Sequence, residues 1–373
     1  MFFWKKKQEY APIEKETDQR PLEEIFGEDN LYEGTLIQLM ACKQAKYPNK
    51  TFTEQDFEKE LAQRGLYKQK PQTSLPIQPT NSLFTPTSFV QYVGQKKAKQ
   101  ILSSYIAATQ NRSKTFPHLL INGRPGMGKT ALASIVANSL GKTLTQIIAS
   151  SITERGELPS IINNLNGNIL FIDEIHALPR NFLEPIYQMM EQFECNGNQI
   201  APFTMIGATT EIGEIIKDRK PFYDRFKIII ELDDYTINDL TKIGMQYKNQ
   251  VFPNDVLDTK TYGVIAKNSR SIPRTVIRLL EATIYLDGKI DKVLSNFGIV
   301  KNGYTEKDKK LLKYLSQQYA VGLQGIAAFM DTSLKTYLYE IEPYLFKNEI
   351  VIRTPRGRAI STKGRQLLRQ LER

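Results

Sequence analysis

The sequence predicts an α/β protein built on a parallel sheet, from three observations. First, between residues 89 and 232 short apolar runs alternate with amphipathic segments of helical period. The runs are HLLIN (118–122), TLTQII (143–148), NILFI (168–172), FTMIGA (203–208) and FKIIIEL (226–232). Runs that are apolar throughout suit strands covered on both faces by crossover helices, the arrangement parallel sheets require. Second, a Gly-rich turn follows the first run and opens a helix-like stretch, TALASIVANSL. Third, an acidic pair ends the NILFI run.

At 373 residues the chain has room for two or three domains with separate cores. Its 41% hydrophobic and 24% charged residues are the composition of a soluble globular protein. No apolar run approaches the roughly 20 residues that span a bilayer. Two cysteines, Cys42 and Cys195, form no spaced framework, which predicts a reducing, cytoplasmic setting and excludes a zinc-finger ligand set. The net charge is +10, and its distribution is informative. Residues 350–373 carry 7 Lys+Arg against 1 Asp+Glu, interleaved with apolar positions such as Ile352, Ile360 and Leu368. A folded basic surface of this kind predicts a polyanionic partner, with DNA or RNA foremost.

Taken in chain order, residues 1–70 are expected to form a small helical module. Thr53 is its N-cap candidate, with Asp56 three residues on and Gly65 as a C-cap. Residues 71–88, with four prolines, read as a linker. Residues 89–235 hold the sheet, and 236–302 carry mostly helical spacing. From 303 onward short helices precede EIVIRTPRGRAI, which reads as strand, basic turn and strand.

GRPGMGKT, Gly123 to Thr130, matches the phosphate-loop pattern in its required context between strand and helix. Backbone N–H groups of a loop shaped by Gly123, Pro125, Gly126 and Gly128 converge on phosphate oxygens, and the helix start adds its dipole. Lys129 is the candidate for the β- and γ-phosphates and Thr130 for Mg²⁺, so ATP with Mg²⁺ is the expected pair. Asp173 follows 44 residues after Lys129, with Glu174 next to it. Beside a phosphate loop, Asp173 suits a water-mediated Mg²⁺ ligand and Glu174 a base for the attacking water. Thr210 ends the GATT stretch and can bond that water or the γ-phosphate. Arg225 in PFYDRF and Arg274 in SIPR are, on residue type alone, surface charges.

The order of phosphate loop, DEIH, GATT, DRF, x-P-R and RTPRGR resembles the RuvB family of AAA+ ATPases, the bacterial Holliday-junction branch-migration motors. The resemblance runs from about Phe89 to Arg373. It includes YVGQ at 92–95, HALPRNFLEPIYQMMEQF at 176–193, APFTMIGATT at 201–210 and EPYLFKNEIVIRTPRGR at 342–358. It implies an AAA+ ATPase core at 89–235, a helical lid at 236–302 and a winged-helix DNA-binding domain at 303–373. By the same resemblance Tyr92 and Val93 lie beside the adenine, Thr210 is the first nucleotide sensor and Arg274 the second. Arg225 is the arginine finger of a neighbouring subunit in a hexameric ring. RTPRGR is the wing, with Arg353, Arg356 and Arg358 on DNA phosphates or in the minor groove.

Three features depart from the family pattern. The family's long hairpin, which docks on the partner RuvA, is here reduced to ECNGNQIA at 194–201. Tyr223 stands where the family commonly has a first arginine. Residues 1–88 have no counterpart, and 1–70 are expected to contact another protein. The leading expectation is therefore a DNA-dependent motor of recombination and repair. A loader-like ATPase switch that places another DNA-bound protein, encoded by a phage or mobile element, is the alternative. A non-catalytic DNA-binding protein is disfavoured by the intact Lys129, Asp173, Glu174 and Arg225.

Overall fold

The computed structural model describes residues 85–372 apart from Asn196. The helical module expected over 1–70, and nearly all of the expected linker, lie outside the described residues. The apolar runs form strands β1 (Leu119–Asn122), β2 (Leu144–Ile148) and β3 (Ile169–Asp173). A two-plus-two-residue hairpin, β4 (Glu194–Cys195) and β5 (Asn198–Gln199), precedes β6 (Thr204–Thr209) and β7 (Ile228–Glu231). The five longer strands make one parallel sheet in the order β2-β3-β6-β1-β7.

The expectation of strands buried on both faces holds for the centre of the sheet. β6 is buried along its length, and β1 and β3 except at their last residues. The edge strands differ, since each lacks a neighbour on one side, and β2 is only half-buried to exposed along its length. β7 alternates buried Ile228 and Ile230 with exposed Ile229 and Glu231.

One face of the sheet packs on the helices Lys96–Arg112 and Lys129–Leu140 through Leu102, Leu132, Ile135 and Val136. That core continues without a break into the helices Ile237–Val251, Thr259–Lys267 and Pro273–Tyr285 through Leu240, Ile265, Leu279 and Leu280. The other face carries a second core around Leu158, Ile186, Met189 and Phe222. A third core, around Leu312, Leu315, Tyr337, Leu345, Val351 and Leu368, belongs to the C-terminal segment.

Within that third unit β8 (Ile299–Lys301) and β9 (Tyr304–Thr305) lead into the helix Glu306–Ser316. Its start is fixed by a capping box between Thr305 and Asp308. After the helices Leu323–Phe329 and Glu342–Lys347, β10 (Val351–Thr354) and β11 (Gly357–Ile360) form an antiparallel hairpin with Pro355 and Arg356 at its tip. Val321 adds one antiparallel bridge to it by exchanging backbone bonds of 2.8 and 2.9 Å with Arg358. Gly357 is required there. At φ +134° a Cβ would lie 2.3 Å from the Val321 carbonyl oxygen. Among the described residues no helix is long and apolar enough to cross a membrane.

Candidate active site

Because β6 lies between β1 and β3, three neighbouring strands end together at the carboxyl edge of the sheet. The phosphate loop follows β1, Asp173 and Glu174 close β3, and Thr209 and Thr210 close β6. This edge is where open parallel sheets bind ligands, since loops diverge there and helix N-termini point inward.

The loop is held from three sides. Gly126 and Gly128 take φ values of +78° and +93°. A Cβ on Gly126 would meet the Arg274 side chain at 2.7 Å, and the backbone N–H of Arg274 donates to Gly126 O at 3.3 Å. Tyr92, fully packed beneath the loop, donates its hydroxyl to Gly128 O at 3.3 Å, and Tyr235 donates to Met127 O at 3.1 Å. Val93 is half-buried against the same core, and Pro125 is exposed at the loop's crest. Arg124 pairs with Asp234.

Lys129 folds onto its own loop, with Nζ donating to Gly123 O at 2.7 Å and to Arg124 O at 3.4 Å. Burial pushes its pKa down, while the carboxylates of Glu174 and Asp173 oppose that and Arg274 adds to it. A desolvated cation facing two carboxylates and a second cation is a site prepared for a polyanion. Arg274 is exposed and takes no side-chain partner among the described residues, so it is free to reach a phosphate. The Thr130 hydroxyl and the Asp173 carboxylate are oxygen groups that could hold a metal. Among the described residues no cluster of three His, Cys, Asp or Glu forms a protein cage. That sparse oxygen set fits Mg²⁺, which keeps water and substrate phosphates in its shell.

Glu174 adopts φ 49°, a left-handed conformation that costs a non-glycine residue about 1–3 kcal/mol. Its backbone N–H donates to Asp173 Oδ1 at 3.0 Å. Its carboxylate Oε2 accepts from the Thr210 hydroxyl at 3.1 Å and faces His176 Nδ1 at 3.3 Å. His176 Nδ1 is also 3.1 Å from the Thr209 hydroxyl, while Nε2 lies 3.5 Å from Glu211 Oε1. Burial pushes the Glu211 carboxyl up, but a bond with Glu214 and the charge of His176 outweigh it, so Glu211 stays below the usual range. That same bond, followed by burial, holds Glu214 above it.

Arg225 stands apart from this group. Its guanidinium lies over the Tyr187 ring at 4.1 Å, pairs with Glu191 at 3.3 Å and donates to Pro221 O, leaving the side chain 16% exposed.

The basic hairpin tip divides its arginines. Arg353 and Arg358 sit opposite each other across β10 and β11, and both make bidentate bonds to Glu342, which is fully buried beneath them. Burial alone would raise the Glu342 carboxyl, yet the bonds from Arg358 and Arg353 hold it below its ordinary value. Arg358 is 15% exposed and Arg353 54%. Arg356 is at the turn, 5.9 Å from the ring of Tyr319, which is 82% exposed. Sequence reading missed Glu342, Tyr319, His176 and Glu211. An exposed tyrosine beside a basic turn has no sequence signature, whereas the cross-strand Arg353–Arg358 pair implied a counter-charge.

Residues 84–232 match the family described as the Holliday junction DNA helicase RuvB P-loop domain, and residues 301–369 match the RuvB C-terminal winged helix domain. Relatives named Holliday junction branch migration complex subunit RuvB include that of Mycoplasmopsis pulmonis (strain UAB CTIP). It is 35% identical, with 77% of this chain and 98% of the relative covered. That of Enterococcus faecalis (strain ATCC 700802 / V583) is 34% identical, with 73% and 87% covered. Among solved structures, the Thermotoga maritima RuvB Holliday junction branch migration motor aligns with a TM-score of 0.69 at 31% identity. It covers 76% of this chain and 98% of that one.

Proposed function

Because the chain belongs to the RuvB family of Holliday-junction branch-migration ATPases, we propose that it is a ring-forming, ATP-driven motor that moves branched or duplex DNA in recombination and repair. The observation that carries this reading is the joining, within one chain, of a phosphate loop, an acidic strand end and an arginine-tipped hairpin on a separate core.

In this reading the backbone N–H groups of Gly126 to Thr130 cradle the phosphates. Lys129 exchanges its loop carbonyls for phosphate oxygens, and Thr130 with Asp173 would hold Mg²⁺, which would neutralise phosphate charge. Thr210 and Glu174 orient the attacking water, Glu174 taking its proton. Arg274 reaches the phosphates from the helix that packs on Gly126. Arg225 serves the neighbouring subunit's site in a hexamer, which explains why it makes no contact with its own phosphate loop. Residues 89–235, 236–302 and 303–373 act as ATPase core, lid and winged helix, and the protein works in the cytoplasm. The hairpin β4–β5, with two residues in each strand, does not project, so docking of a RuvA-type partner uses another surface.

On the winged helix, Arg356 and the half-exposed Arg353 meet DNA phosphates, with Tyr319 beside Arg356 adding a flat apolar contact. Arg358 stays on Glu342. Arg356→Ala is therefore expected to weaken duplex binding for every sequence and to reduce the log–log salt slope by about 0.9. Arg358→Ala is expected instead to lower the melting temperature of the protein. Filter or anisotropy titrations across a salt series check both. An unchanged salt slope in Arg356→Ala would take the wing away from the DNA.

A further inference from the structure

We propose that the helical segment 334–347 couples the wing to the ATPase site, with His176 and Glu211 as positioning residues through which it holds the Glu174 carboxylate. This rests on the reading of Glu174 as the group that activates water.

The segment touches the nucleotide site at both ends. Near its start, Tyr339 donates its hydroxyl to Glu211 Oε2 at 3.2 Å, across 128 residues of sequence. The other Glu211 oxygen faces His176 Nε2, and the opposite ring nitrogen faces Glu174. Glu211 is itself anchored, its backbone N–H donating to the Thr209 hydroxyl at 3.0 Å. At the far end Lys347 pairs with Asp234, the same carboxylate that pairs with Arg124 of the phosphate loop. Between the two ends lies Glu342, the buried clamp for Arg353 and Arg358. The proposed hydrolysis assigns no chemical step to Glu211, Tyr339, Asp234 or Lys347.

The local geometry suits a device that shifts. Tyr337–Ile341 form a π-helical turn, a wound segment usually kept at functional positions. The two contacts of His176 with carboxylates, at 3.3 and 3.5 Å, are ion-pair approaches longer than a normal hydrogen bond, while its hydrogen bond at 3.1 Å goes to Thr209, so a small displacement weakens both. Glu342 supplies the drive. A DNA phosphate that draws the exposed Arg353 away leaves a fully buried carboxylate with Arg358 as its remaining guanidinium partner, an unfavourable state that movement of residues 337–342 relieves. Movement of Tyr339 then releases Glu211 and His176. Glu174 loses one of its two contacts on Oε2 and can turn to the water.

The test is the ratio of kcat with saturating linear duplex to kcat without DNA, measured with the KM for ATP in the full chain. Tyr339→Phe keeps the ring and removes only the hydroxyl. The expected result is a rise in DNA-free turnover, so that the ratio falls by about threefold or more, within the range of coupling energies, with KM unchanged. Glu211→Gln keeps an acceptor for Tyr339 but not the charge facing His176, and is expected to lower the ratio less than Glu211→Ala. A Tyr339→Phe ratio equal to wild type overturns the proposal, and so does a wild-type ratio of one. Normal turnover in Glu174→Gln overturns the underlying reading of Glu174, separately from the coupling.

Discussion

Glu174→Gln is expected to bind ATP as the parent does and to hydrolyse it about 10²–10⁴-fold more slowly. The amide has nearly the same shape and keeps an oxygen for the Thr210 hydroxyl, so the strand end and the phosphate loop are not disturbed. It has no lone pair basic enough to take a proton from water, and that loss falls on kcat alone. In the proposed mechanism binding is set elsewhere, by Lys129, the loop N–H groups and Arg274. Equilibrium binding of a fluorescent nucleotide beside steady-state phosphate release separates the two quantities. A fall in affinity equal to the fall in turnover would mean that Glu174 holds the nucleotide rather than activating water.

Arg225→Ala is expected to lower turnover further, by about 10³–10⁵-fold, the range seen when an arginine that stabilises transition-state charge is removed from an NTPase. In the isolated chain this guanidinium lies on Tyr187 and Glu191, away from its own Lys129 and Glu174. In the proposed ring it reaches a γ-phosphate that another subunit supplies. Mixing supplies a direct check. Arg225→Ala subunits keep Glu174, Glu174→Gln subunits keep Arg225, and a mixed ring contains interfaces where both intact groups meet. Two inactive preparations combined are therefore expected to regain a measurable fraction of the wild-type rate. Failure to recover activity, with rings shown to mix, would contradict a finger acting between subunits.

The sheet and phosphate loop were legible because the signals are local. An apolar run, a Gly-rich turn and an amphipathic helix are each read within ten residues, and the strands fall within two residues of where the runs end. The short hairpin at 194–199 was legible for the same reason: too few residues separate the flanking elements for anything longer. The surroundings of Glu174 were not. His176, Thr209 and Glu211 meet because β6 pairs directly with β3, and strand order is a property of the whole sheet. The wing was half legible. Its turn was evident, but three arginines in six residues read alike, whereas a two-residue tip places Arg353 and Arg358 on one face and Arg356 at the apex. Like charges in register need a shared counter-ion, and Glu342 lies eleven residues upstream, where a glutamate ordinarily reads as surface.

ATP turnover by this chain is expected to be tied to DNA. Steady-state hydrolysis by the purified protein, with no DNA, with linear duplex and with a four-way junction, tests it most directly. The account predicts low turnover alone, stimulation by duplex and the highest rate on the junction. Turnover near zero in all three conditions would contradict a self-sufficient motor and favour a loader-like switch activated by a protein partner.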